Sequence, residues 1–77
     1  MRLATRGALR GQTLQNGALC IESWQINADE HVVLALRDYP VDPYVVWTAT
    51  EDGNCFRGDY CNSIHQAMEV VERRARL

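Results

Sequence analysis

The sequence contains no lysine, no long apolar run and no paired-cysteine motif. All eight basic residues are arginine, a residue that suits interface contacts better than lysine does. No stretch approaches the ~20 apolar residues that a membrane-spanning helix needs. The N-terminal residues MRLATRGALRG carry positive charge without the apolar segment of a secretory signal. These absences predict a cytoplasmic protein that makes no membrane contact.

The three cysteines, Cys20, Cys55 and Cys61, predict free thiols. An odd number of cysteines without a C-x-x-C motif fits neither a disulfide framework nor a thioredoxin-like redox site. Cys55 and Cys61 fall in one predicted strand, about 20 Å apart at ~3.3 Å per residue, which is too far for a bond between them.

The length of the chain predicts one domain that spans residues 1–77. A chain of 77 residues buries only about 60–65% of the surface that its unfolded form exposes. The sequence contains no internal repeat and no low-complexity segment, so nothing indicates a second unit.

The C-terminal half has the pattern of a strand, a tight turn, a second strand and a helix. Residues 44–50 are rich in β-branched and aromatic side chains, and Asp52-Gly53 predicts a hairpin that pairs them with 55–61. In the second strand, we expect the face with Phe56 and Tyr60 to point toward the core. Ser63 then caps a helix that begins near Ile64, and its predicted apolar stripe contains Ile64, Ala67, Met68, Val71 and Ala75.

The N-terminal half predicts three more strands. Asn16-Gly17 is a hairpin signal between strands near 8–15 and at 18–26, and the apolar run at 31–37 is typical of a strand covered on both faces. A bulge near residues 22–23 would bring four apolar residues of the second strand to the core side: Leu19, Ile21, Trp24 and Ile26. The predicted fold is therefore an α+β domain, an antiparallel meander of about five strands with one C-terminal helix packed on one face.

The charges are distributed unevenly along the chain. Residues 1–21 hold three arginines and no acid, residues 22–72 hold all ten acids and two arginines, and residues 73–77 hold three arginines. In a meander, the turns at 27–30 and 51–54 lie at the same end of the sheet. Asp29, Glu30, Glu51 and Asp52 would then form an acidic cluster that attracts a basic partner. The alternative, that these acids only keep the turns soluble, stays open.

Tyr39 and Tyr44 flank a loop that contains Pro40 and Pro43. A loop stiffened by proline presents aromatic side chains at low entropic cost, which favours contacts with a partner. The alternative is that both tyrosines cover the edge of the core. The predicted partner-binding residues are Asp29, Glu30, Tyr39, Tyr44, Glu51 and Asp52.

No set of residues predicts catalysis, a metal site or a cofactor. Cys61 and His65 are four residues apart, but structural zinc sites usually contain two tight ligand pairs, and a thiol nucleophile needs a cleft with an oxyanion donor. Direct nucleic-acid binding would use Arg2, Arg6 and Arg10 or the arginines at 73–76, and the acidic body of the chain argues against it. We therefore predict no enzyme activity and no direct contact with nucleic acid.

The run YVVWTATEDGNCFRGDYCNSIHQAMEVVERR resembles small proteins encoded by phages, plasmids and integrated elements. The shared pattern is a strand with a tryptophan, a short turn, an aromatic-x-Gly-x-Tyr segment and a short charged helix. Size, acidity and the lack of catalytic residues are also similar to anti-CRISPR proteins. That resemblance implies a non-enzymatic inhibitor that covers the DNA-binding surface of a CRISPR effector. Anti-CRISPR proteins share no common motif, so the resemblance assigns no residue.

These observations lead to one functional hypothesis and two alternatives. The hypothesis is a protein-binding module from a mobile element that docks on a basic, nucleic-acid-binding surface of a host defence complex. One alternative is a small nucleic-acid-binding regulator that uses the terminal arginines. The other is a dimerising structural or accessory protein, and the sequence is compatible with a monomer or a dimer.

Overall fold

The computed structural model describes residues 6–14 and 17–76. The strands are β1 (Leu19–Gln25), β2 (Glu30–Leu36), β3 (Tyr44–Thr50) and β4 (Cys55–Cys61), and helix α1 (Ile64–Ala75) follows them. Each strand pairs antiparallel with the next, in the order β1-β2-β3-β4. The α+β class is confirmed, but the described sheet has four strands and not about five.

Residues 8–14 do not form the predicted first strand, and Gln15 lies outside the described residues. Residues 7–11 turn, and Gly11 adopts a φ of +85°, a conformation that glycine takes without steric cost and that an extended strand does not contain. The segment 6–14 instead touches β1 through two isolated bridges, Arg6–Trp24 and Thr13–Leu19. Asn16 also lies outside the described residues.

Both faces of the sheet are covered, as the apolar run of β2 predicts. The segment 6–14 covers one face through Leu9 and Leu14, which pack with Val33. Helix α1 covers the other face and packs on Val32 and Leu34. We call these the segment face and the helix face. Alternate residues of β2 and β3 are therefore buried on opposite sides of one sheet.

The register of β1 shifts between Cys20 and Glu22, slightly before the predicted bulge. The shift brings Ile21 and Trp24 to the helix face. The prediction that all four apolar residues of β1 and its extension face the core is wrong, because Leu19 and Ile26 are 46% and 40% exposed. One extra residue in a strand changes the face of everything beyond it.

A second shift lies between β3 and β4, and it overturns the prediction for the aromatic residues of β4. The pairing skips from Val46 to Thr48 on β3, and Arg57 on β4 has a φ of +58°. Phe56 and Tyr60 consequently point to opposite faces, and they are 38% and 49% exposed. The buried residue of β4 is Cys61 instead.

Helix α1 begins where the sequence predicts. The Ser63 side-chain oxygen accepts a hydrogen bond from the Gln66 backbone N–H at 3.1 Å, and the Gln66 side chain accepts one from the Asn62 N–H. The buried residues are Ala67, Val70 and Val71, whereas Ile64 of the predicted stripe is 45% exposed. Among the described residues, no helix is long and apolar enough to cross a membrane.

Arg74, near the end of α1, connects the helix to the second bulge. Its Nη1 donates to the carbonyl oxygens of Val46 at 2.9 Å and Arg57 at 2.7 Å, and it lies 3.2 Å from the Asp59 carboxylate. Its Nη2 donates to the Thr48 hydroxyl at 2.6 Å. The guanidinium therefore binds acceptors on both β3 and β4 at the position where their ladder is interrupted.

Replacing Arg74 with methionine should lower the free energy of unfolding by roughly 2–3 kcal/mol, because buried acceptors lose a charged donor. Arg73→Met is the matched control, since Arg73 is exposed on the same helix, and we expect a change within about 0.5 kcal/mol. Urea unfolding measures both values. Equal losses in the two variants would show that the contacts of Arg74 do not stabilise the fold.

Gly58→Ala should destabilise the protein by roughly 1–3 kcal/mol through overpacking. A Cβ at this position would lie 2.7 Å from Nε1 and 3.0 Å from Cδ1 of Trp47, and Trp47 is buried. The same substitution in a Trp47→Phe background should cost less, because phenylalanine lacks Nε1. A double-mutant cycle of unfolding free energies tests this, and a cycle with no coupling would contradict it.

Candidate partner-binding surface

The strand register brings two acidic turns together at one end of the sheet. Glu30, the first residue of β2, pairs with Thr50, the last residue of β3. The turn before β2 and the turn after β3 are therefore neighbours, as the meander predicts. We call Asp29, Glu30, Glu51 and Asp52 the acidic end.

Local hydrogen bonds fix the shape of both turns. The Asn27 side-chain oxygen accepts from the backbone N–H groups of Asp29 and Glu30, each at 3.0 Å, and the Asn27 amide donates to the Glu30 carboxylate at 2.9 Å. In the other turn, the Thr50 hydroxyl donates to Asp52 and accepts from the Asn54 N–H. Asn and Thr side chains commonly hold turns in this way, so the carboxylates extend from ordered backbone.

No arginine among the described residues makes an ion pair with the acidic end. Arg6 and Arg10 both approach Glu22, at 3.3 and 3.6 Å, and Arg74 pairs with Asp59. Among the described residues, the basic side chain that contacts the acidic end is His31, whose Nε2 lies 3.5 Å from Glu51; this contact is an ion pair only when the imidazole carries a proton. The acidic end is therefore a concentration of negative charge that the described arginines do not neutralise.

His31 is a feature of this end that the sequence analysis did not include in the site. Its side chain is on the segment face, 1% exposed, and neither ring nitrogen has a hydrogen-bond partner. Buried polar groups are bonded in the large majority of cases. The sequence signal was weak: a histidine at the start of an apolar strand, directly after the acidic turn.

Tyr39 and Tyr44 do not lie at the acidic end. Tyr44 begins β3 at the opposite end of the sheet, six residues from Thr50, which is about 20 Å at ~3.3 Å per residue. Tyr44 is half-buried and packs on the helix-face core, as its alternative interpretation expects. Tyr39 is 61% exposed in the loop between β2 and β3. The six predicted binding residues thus form two separate regions.

We call the end of the sheet next to the loop between β2 and β3 the loop end. It contains a group of aromatic contacts, the aromatic stack, which the sequence did not predict. The Arg37 guanidinium lies over the rings of Tyr39 and Tyr60, 4.8 and 4.4 Å from their centroids. Its Nη2 donates to the Asp42 carbonyl oxygen at 2.6 Å. Tyr60 meets Trp47 edge to face. The stack borders a cavity of about 460 Å³. Residues from two strands and a loop meet here. Because they are far apart in the sequence, no local pattern predicts the contact.

Cys61 and His65, the pair considered for a metal or a nucleophile site, differ sharply in burial. In the part of the chain that the structure describes, no group of three or more His, Cys, Asp or Glu side chains is placed to hold a metal ion. Cys61 is buried, whereas the His65 side chain is 88% exposed and lies 3.7 Å from Glu69. Burial, together with the Asp59 and Asp42 carboxylates, raises the pKa of the Cys61 thiol, which is opposite to the shift that an activated thiolate needs.

The described terminal arginines differ in whether their charge is already paired within the domain. Arg2 lies outside the described residues. Arg6 and Arg10 form ion pairs with Glu22. The Arg74 side chain is 16% exposed and is hydrogen-bonded to the sheet. In the described C-terminal cluster, Arg73 and Arg76 are exposed.

Comparisons of the chain with protein-family models, with curated proteins and with solved structures found no match.

The stability of the protein should fall at alkaline pH because of Cys20. Burial, reinforced by the Glu22 carboxylate, raises the pKa of this thiol from 9.0 to about 11. The unfolded chain releases the thiol proton at lower pH than the folded chain does. The stabilising contribution is complete below pH 9.0 and is lost as the pH rises through about 11.

Urea unfolding of the wild type and of Cys20→Ala between these two pH values tests this expectation. The unfolding free energies of the two proteins should converge as the pH rises. A difference in unfolding free energy that stays constant with pH would contradict the expected role of Cys20.

Proposed function

We propose that this chain is a non-enzymatic protein-binding module, an inhibitor of the anti-CRISPR type that docks on a basic, nucleic-acid-binding surface of a host defence complex. The observation that carries the proposal is the acidic end. Four carboxylates extend from two adjacent ordered turns, and no described arginine pairs with them.

The charge of the acidic end suits a surface that evolved to hold nucleic acid. Such a surface presents arginine and lysine to a line of phosphates. Carboxylates carry the same negative charge as phosphates and can occupy the phosphate positions on such a surface. A negative patch also raises the rate of encounter with a positive one. The proposed contacts are ion pairs between partner guanidinium or ammonium groups and Asp29, Glu30, Glu51 and Asp52.

Apolar contact next to the acidic end would come from Ile26 and Phe56. Ile26 directly precedes the first acidic turn and is 40% exposed, and Phe56 follows the second turn and is 38% exposed. Ile26 also lines an open groove of about 450 Å³ with Thr48 and Arg74. In this proposal Tyr39 and Tyr44 contribute only where a partner also reaches the loop end of the sheet.

A charge-neutral variant tests the proposal. It carries Asp29→Asn, Glu30→Gln, Glu51→Gln and Asp52→Asn, and it keeps the shape of each side chain. A matched control neutralises four acids elsewhere: Asp38→Asn, Asp42→Asn, Glu69→Gln and Glu72→Gln. Both variants remove the same number of charges, so they separate the acidic end from net charge.

Each tagged protein is incubated with nuclease-treated lysate from bacteria that express CRISPR effectors, and retained proteins are identified by mass spectrometry. We expect the wild type and the control to retain a nucleoprotein effector that added DNA competes away. The charge-neutral variant should retain roughly tenfold less at an unchanged melting temperature. Equal retention by all three proteins would refute the role of the acidic end, and a loss caused by Tyr39→Ala alone would move the binding surface to the loop end.

A further inference from the structure

The buried His31 side chain is directly connected to the acidic end. Its Nε2 lies 3.5 Å from Oε1 of Glu51. The two side chains differ sharply in exposure, because that of His31 is 2% exposed and that of Glu51 is 67% exposed. Neither ring nitrogen of His31 has a hydrogen-bond partner. A buried imidazole is thus in contact with a carboxylate that reaches into solvent.

Glu51 is the charged group of the described structure that faces His31. Across the sheet, His31 is opposite Gln25 on β1 and Ala49 on β3, and Cys55 follows in the same row on β4. Helix α1 packs on the other face.

The other described charged groups near this end have contacts of their own. In the segment 6–14, Arg6 and Arg10 form ion pairs with Glu22. The Glu30 carboxylate accepts from Asn27, and that of Asp52 accepts from the Thr50 hydroxyl. A proton on His31 would therefore have Glu51 as its counter-ion.

We infer that His31 is a proton-operated control of the acidic end, acting through Glu51. This inference rests on the proposed function, because it regulates the same surface. With His31 neutral, the Glu51 carboxylate is available to a cationic group of the partner. With His31 protonated, the buried imidazolium takes Glu51 as its counter-ion and adds a positive charge beneath the acidic end. Histidine is the side chain whose ordinary titration falls near neutral pH.

The coupling acts in both directions. If protonation of His31 weakens the binding of a cation at the acidic end, then a bound cation weakens the binding of the proton by the same factor. Affinity for a basic partner should therefore fall as the pH decreases from about 8 to about 5.5, a range in which exposed carboxylates remain ionised. His65 provides an internal reference, because its side chain is 88% exposed and lies on the helix next to Glu69.

The first experiment follows the imidazole resonances of both histidines by NMR as the pH is changed, in the wild type and in Glu51→Gln. The titration midpoint of His31 should move to lower pH in the variant, while that of His65 should not move. An identical His31 midpoint in both proteins, or a His31 that does not titrate between about pH 5 and about pH 8, would overturn the inference. This readout needs no partner, so its failure leaves the proposed function intact.

The second experiment measures binding of a tetra-arginine peptide by the wild type, Glu51→Gln and His31→Gln. The affinity of the wild type should fall roughly fivefold from about pH 8 to about pH 5.5, and that of either variant should change much less. Equal pH dependence in the wild type and Glu51→Gln would overturn the inference even if His31→Gln does not fold. If the NMR coupling is present but the charge-neutral variant still retains its partner, the proposed function fails and the coupling stands.

Discussion

Arg74 holds the helix to the sheet through acceptors on two strands, and the arrangement of the helix face depends on this contact. The guanidinium binds the Val46 and Arg57 carbonyl oxygens and the Thr48 hydroxyl at the point where β3 and β4 lose their regular pairing. Val46 is buried and its carbonyl oxygen needs a donor, which Arg74 supplies where the ladder is interrupted. An arginine side chain supplies several donors in a fixed plane. The helix end is therefore attached by polar contacts, while its middle is attached by small apolar residues such as Ala67 and Val71.

The charged and aromatic surface groups described above lie at the two ends of the sheet, because its two faces are covered by other parts of the chain. One helix and the short segment 6–14 cover the two faces, with Leu9 and Leu14 as the buried residues of the segment. The turns at one end carry the carboxylates, and the loop at the other end carries Arg37, which contacts two tyrosine rings. The protein consequently presents a strongly acidic surface and a mixed aromatic surface that are separated by the length of the strands.

The sequence predicted the features that short-range signals determine. Asp52-Gly53 located the hairpin, Ser63 located the start of the helix, and the meander order placed the two acidic turns together. The contacts it did not predict join distant residues: Arg74 with Val46 is 28 residues apart in the chain. A bulge has no clear residue signature. Simple alternation therefore placed Phe56 and Tyr60 on the same face, and that prediction is wrong. The burial of His31 likewise depends on what covers the segment face, which no local pattern reveals.

The bulge in β4 also has a consequence for how copies of this chain meet. β4 is the last strand of the described sheet, and a terminal strand with unpaired backbone groups invites edge-to-edge growth into aggregates. Arg57 departs from extended geometry in the middle of this strand, and its carbonyl is already engaged by Arg74. Charged Arg57 and Asp59 on either side of Gly58 further oppose the approach of a flat neighbouring strand. The irregularity to which the helix is bound therefore also disfavours the pairing of a second strand along β4.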